Sequence, residues 1–143
     1  MGKNYEIIEH TADIGLNIFG KTKQELFQNA ARGMFFLITG SFICPEQKKR
    51  QYWTVECEAS NIDDLLVSWL SELLYIHHTD FVFFDDFIIN SLTRQLIQAE
   101  VWGGKMKDSS CEIEKEIKAV TYHRLRVFKN DQGLWEANII FDI

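Results

Sequence analysis

The stretch YEIIEHTADIGLNIFGKTKQELFQNAARGMFFL, residues 5–37, changes its hydrophobic period once, and that change decides the fold. Tyr5–Glu9 and Ile14–Gly20 read as strands. In the second, Ile14, Leu16 and Ile18 share one face, and Gly15, Asn17 and Phe19 share the other. His10-Thr11-Ala12-Asp13, short and polar, reads as the turn between them. From Thr22 the spacing becomes helical. Thr22-Lys23-Gln24-Glu25 is a capping-box pattern, in which the threonine hydroxyl accepts from the backbone N–H three residues on and the glutamate reaches back. Leu26, Phe27, Ala30, Ala31, Met34 and Phe35 then recur on one face of a helix predicted over Lys23–Leu37, which Gly40 ends.

Outward from this stretch, Arg50–Ala59 alternates as a strand. Ser60-Asn61 caps a second helix, with Asp63 and Asp64 in the first turn, where the macrodipole favours anions. Leu65, Leu66, Trp69, Leu70, Leu73 and Leu74 are its buried stripe. Phe81–Phe84 and Phe87–Asn90 flank Asp85-Asp86. Leu92–Trp102 continues with strand character until Gly103-Gly104 breaks it, and Lys105–Glu114 is a polar loop. Ala119–Lys129 and Leu134–Ile143 are strands around the turn Asn130–Gly133. The order β-β-α-β-α-β-β-β-β predicts one α+β domain over residues 1–143, a two-layer arrangement with a mainly antiparallel sheet packed against two helices.

The apolar fraction of 46% supplies a packed core without staples. The formal charge is −6, and the densest basic run is only Lys48-Lys49-Arg50. A protein that grips phosphates is ordinarily basic, so little direct nucleic-acid binding is expected, and a protein partner with a basic surface fits better. Cys44, Cys57 and Cys111 are odd in number and widely spaced, which reads as three reduced thiols in a cytoplasmic protein. Met1–His10 does not read as a signal peptide, and the apolar runs fall short of the ~18–20 residues of a membrane span.

The sequence contains no G-x-G-x-x-G, Walker lysine loop, G-x-S-x-G, H-E-x-x-H or cysteine–histidine zinc spacing. That points away from an enzyme. Other positions stand out. His10, Thr11 and Asp13 put an imidazole, a hydroxyl and a carboxylate in one turn, either to close the hairpin or to present Asp13 to a metal or partner. Asp142 is either an exposed acid on a strand end or, with the carboxyl group of Ile143, one of two anionic groups a residue apart. With Asp13 across from them, these groups would suit a hard divalent cation such as Ca²⁺, Mg²⁺ or Mn²⁺, with waters completing the shell. Lys118 enters a strand as a solvated charge or a partner contact. Tyr122 and His123 follow on the same strand with polar tips.

Several segments together resemble the archease family. They are His10-Thr11-Ala12-Asp13-Ile14-Gly15; Gly20-Lys21-Thr22 with Glu25-Leu26-Phe27 and Asn29-Ala30-Ala31; Asp64-Leu65-Leu66-Val67 with Trp69-Leu70 and Glu72-Leu73-Leu74; Val101-Trp102-Gly103; Glu116-Ile117-Lys118-Ala119-Val120-Thr121-Tyr122-His123; and Ile139-Ile140-Phe141-Asp142-Ile143. The match runs in order over essentially the whole chain. Thr39–Tyr52 and Lys105–Ile113 are the divergent parts.

The resemblance implies a non-catalytic activator of RtcB-type RNA ligases, which join RNA ends in tRNA splicing and RNA repair. It implies stimulated guanylylation of the ligase's active-site histidine and multiple turnover. It also implies a divalent metal, often calcium, at positions that here are Asp13, Asp142 and Ile143, and a functional lysine that here is Lys118. His10 and His123 join Lys118 as expected contacts for activating the partner. A rival expectation is a chaperone or modulator of RNA-modifying enzymes such as a tRNA methyltransferase, acting through an exposed sheet face and its aromatics.

Overall fold

The structure is a computed structural model that describes residues 4–9, 12–42 and 49–143. Its elements are β1 (Tyr5–Glu9), β2 (Asp13–Gly20), α1 (Lys23–Thr39), β3 (Gln51–Glu58), α2 (Ile62–Asp80), β4 (Val82–Leu92), β5 (Leu96–Lys105), a short 3₁₀ turn at Met106–Asp108, β6 (Ala119–Lys129) and β7 (Trp135–Asp142). The α+β class and the element order follow the sequence. The strands, however, divide between two antiparallel sheets, of order β1-β2-β7-β6 and β3-β5-β4.

Both helices touch both sheets. From α1, the Asn29 carboxamide donates to the Phe19 carbonyl of the first sheet (2.7 Å), and the Gln28 carboxamide donates to the Phe87 carbonyl of the second (2.9 Å). This explains why α1 is buried on more than one face. Alongside its apolar stripe, Asn29, Gly33, Leu37 and Ile38 are also shut from solvent. Phe35 meets Phe83 and Phe84 edge-on, with centroids 5.6 Å apart in each pair, a geometry that aromatic quadrupoles prefer. The Trp69 indole of α2 donates to the Phe27 carbonyl of α1 at 3.0 Å, so the buried N–H is satisfied while the helices lock together.

Local chemistry sets the boundaries. The Glu25 N–H donates to the Thr22 hydroxyl at 3.0 Å, as the capping box predicts, while the Glu25 carboxylate accepts from the Lys21 N–H, one residue earlier than the motif implies. Gly40 closes α1 at φ 76°. Asn61 caps α2 by accepting from the Asp64 N–H at 2.9 Å.

The two segments flanking Asp85-Asp86 form one strand, β4, with a register slip between Phe84 and Asp86. Two expectations need correcting. Gly103-Gly104 does not break a strand. Both glycines lie within β5, and a Cβ on Gly103 would fall 1.8 Å from the Phe83 carbonyl oxygen, so glycine is what lets β4 approach. The turn between these strands is at Thr93–Gln95, where the Thr93 hydroxyl accepts from the N–H groups of Gln95 and Leu96. The second correction is chemical: Cys57 is a free thiol but Cys111 is disulfide-bonded, so three reduced cysteines is not the arrangement found.

Candidate functional site

Alternation along β2 and β7 builds the site. Ile14, Leu16 and Ile18, with Ala137, Ile139 and Phe141, turn inward and are essentially fully buried. Their neighbours therefore turn outward, away from the helices. The two strands pair without interruption from Gly20↔Trp135 to Asp13↔Asp142. The last of these pairs sets two carboxylates directly opposite one another on the outward face. On its other side β7 pairs with β6, so Asp142 also faces Ala119.

Two main-chain bonds hold the end of the chain in this frame. The Lys118 N–H donates to the Asp142 carbonyl at 2.8 Å, and the Ile143 N–H donates to the Ala12 carbonyl at 3.3 Å. Ile117, only 1% exposed, anchors the residue before Lys118 in the core and leaves Lys118 exposed beside the pair. Ala12 and Asp13 thus meet the final two residues, as the sequence reading expects of that end of the bend. Asp13 is the first residue of β2 and not part of the turn, and His10 lies outside the described residues.

The Asp13 carboxylate carries an unusual feature. Its Oδ1 is buried and, among the described residues, has no hydrogen-bond partner. A buried carboxylate oxygen without a donor is costly, and like charges placed directly across an antiparallel pair repel. A positive group beside the pair would relieve both penalties, and an oxygen-only donor set is one that a hard cation accepts. Among the described residues, no group of three or more His, Cys, Asp or Glu side chains is clustered to hold a metal. A cation here would be held by the two aspartates, main-chain oxygens at Ile143 and water.

The expected partner contacts are less concentrated. His123 is exposed in β6, its N–H donating to the Thr121 hydroxyl at 3.2 Å, and Thr121 pairs with Ile140, one row inward from Asp142 along the same face. Sequence reasoning missed a neighbouring depression lined by Asn17, Asn138 and Arg124. Its one signal was Gly15, a glycine in mid-strand, which often marks a dent or close approach.

The geometry defines a class: a small two-sheet α+β domain that presents an acidic cross-strand pair and a lysine at one end of an outward sheet face. Comparison with known proteins places it further. The model of the archease protein family (MTH1598/TM1083) matches residues 5–143, and the chain belongs to that family. It is 37% identical to the archease of Methanosarcina barkeri, over 99% of this chain and 97% of that one. It is 31% identical to that of Pyrococcus furiosus, over 99% of each. The solution structure of protein 1598 of Methanobacterium thermoautotrophicum superposes with a TM-score of 0.74 at 31% identity, covering 98% of this chain and 99% of that one. The Thermotoga maritima crystal structure described as an archease and possible chaperone shares the fold, with a TM-score of 0.60 at 22% identity, over 95% of this chain and 94% of that one. Among the described residues, no helix is long and apolar enough to cross a membrane.

Proposed function

We propose that this chain is a non-catalytic activator of an RtcB-type RNA ligase, promoting ligase guanylylation and turnover in tRNA splicing and RNA repair. Family membership supports the class of partner. The observation that carries the site is the buried Oδ1 of Asp13, without a donor among the described residues, opposite Asp142. In this reading Asp13, Asp142 and the main chain of Ile143 hold a divalent cation, Ca²⁺ before Mg²⁺ or Mn²⁺, because few protein ligands and several waters suit a flexible shell. When bound, such an ion supplies positive charge for a partner's phosphate or carboxylate oxygens.

The rest is done by the chain itself. β2, β7 and β6 hold the carboxylates at a fixed spacing on a rigid sheet end, and the Lys118 main chain is tied to Asp142. In this reading the exposed Lys118, whose main chain adjoins the pair, and the exposed His123, farther along β6, meet a ligase's anionic nucleotide site. Activation then works by positioning and electrostatics, with no bond made or broken on this protein.

The test is ligase guanylylation with and without this protein. Asp13→Ala and Asp142→Ala are expected to abolish stimulation while leaving the fold in place, and Lys118→Ala to weaken it. A second reading, a chaperone-like modulator, is favoured by one observation. Tyr52, 56% exposed, and Trp102 pair with ring centroids 5.1 Å apart on the outward face of the second sheet. Aggregation suppression that needs Tyr52 but tolerates Asp13→Ala would support that reading.

A further inference from the structure

The outward face of the first sheet is graded in rows. Beyond the acidic row of Asp13, Asp142 and Ala119 comes Ile8–Gly15–Ile140–Thr121, and then Glu6–Asn17–Asn138–Arg126. Gly15 brings no side chain to the second row, and a cavity of about 310 Å³ opens there, lined by Ile8, Gly15, Ile140, Asn17, Asn138 and Arg124 among others. That size is at the lower end of small-molecule pockets.

Arg124 reaches the cavity by an irregular route. β6 slips register between Thr121 and Arg126, and Arg124 sits at φ 55°, a left-handed conformation that is uncommon for a residue other than glycine. Backbone strain of this kind marks functional positions when it sets a side chain where a regular strand could not. Among the described residues, neither the Arg124 guanidinium nor the Asn17 or Asn138 carboxamide has a side-chain hydrogen bond or ion pair. Arg126, by contrast, is stacked on Phe128 at 4.1 Å.

A guanidinium fork and two carboxamides make a donor-rich wall above an apolar floor, and among the described residues no carboxylate lines the cavity. Both a carboxylate and a phosphate monoester match the fork in a bidentate manner, but a carboxylate has only those two oxygens, whereas the phosphate keeps a third for the carboxamides. We propose that the cavity binds a phosphate monoester borne on a planar, partly apolar ring, with the phosphate at Arg124, Asn17 and Asn138 and the ring over Gly15 between Ile8 and Ile140. A free mononucleotide and the 5′-phosphorylated end of a strand both present this chemistry. The site uses none of the aspartates and does not depend on the activator reading.

The experiment is an amide-resolved NMR titration of the full chain at low ionic strength in chelator, so that any cation at Asp13 plays no part. The probes are adenosine 5′-monophosphate, adenosine, inorganic phosphate and a 5′-phosphorylated hexanucleotide. Saturable shifts at Gly15, Asn17 and Asn138 are expected with the monophosphate, and binding about tenfold weaker or more with adenosine or inorganic phosphate, as loss of a charge-assisted contact implies. Arg124→Gln is expected to weaken binding about tenfold by the same argument. Gly15→Val fills the floor and is expected to block binding. A Cβ there meets nothing nearer than 3.5 Å, so the fold should persist, as an unchanged melting temperature would confirm. A hexanucleotide that binds more tightly than the monophosphate identifies a strand end as the ligand, and equal binding identifies the free nucleotide. No saturable shift up to about 10 mM monophosphate, well beyond useful affinity, or an Arg124→Gln variant that binds as the parent does, overturns the proposal.

Discussion

Asp13 is where the account is most exposed to test at the scale of single residues. Its buried Oδ1 has no donor among the described residues, and its strand partner is another aspartate. Removing one charge should therefore help the fold when no cation is present. In chelator, Asp13→Asn is expected to raise stability by about 0.2–1 kcal/mol, the usual range for relieving a like-charge cross-strand pair. In calcium the order should reverse. At a hundredfold excess over the dissociation constant the parent gains about 2.7 kcal/mol, and the variant does not. Thermal melts of both proteins in both buffers check this, and a variant that calcium stabilises as much as the parent contradicts it.

Cys57 and His77 make independent predictions at the same scale. Burial, and then the Glu72 and Glu56 carboxylates, push the Cys57 thiol up to about 11, so it should alkylate slowly at pH 8 in the folded protein and readily in denaturant. Burial holds His77 below the ordinary histidine value of 6.5, and the nearby His78 adds to that, while its Nδ1–H donates to the Val82 carbonyl at 2.6 Å. A lowered folded value means that the unfolded chain binds the proton first. His77 therefore contributes its stability in full above about pH 6.5 and loses it as the pH falls toward the folded value. Melts between pH 5 and 8 should show that decline, and His77→Gln should flatten it. The acidic site residues were readable from motif and chain position. Arg124 was not, because its place depends on a register slip in β6 that no local pattern announces.

Elements were readable where a periodic face coincided with a cap. Thr22 and Asn61 start their helices as the sequence indicates, and Thr22→Ala is expected to cost about 1 kcal/mol through the lost Glu25 N–H bond, measurable by urea denaturation. Elements were misread where glycine served packing. Gly103-Gly104 has the look of a break, yet β5 continues because β4 needs the space that a side chain would fill. Gly103→Ala sets a methyl group against the Phe83 carbonyl and is expected to destabilise by about 1–3 kcal/mol or more, the cost of overpacking. Asp85 sits where β4 slips register, and its carboxylate receives two bonds from Arg50, at 2.7 and 2.9 Å.

At the scale of the whole molecule, the class and order of elements followed from hydrophobic period alone, but the division into two sheets did not. Each sheet draws strands from distant parts of the chain, β7 onto β2 and β3 onto β5, and alternation says which face is apolar without naming the partner. The same limit applied to Cys111, whose disulfide is a matter of three-dimensional approach. What the topology does accomplish is to bring residue 13 against residue 142 at one end of a rigid sheet, with Lys118 bonded alongside. The most direct measurement of whether that juxtaposition is the working part of the molecule is guanylylation of a cognate RtcB-type ligase in the presence of the parent protein and of Asp13→Ala. The parent should stimulate the ligase and the folded variant should not. Equal stimulation by both would contradict the account.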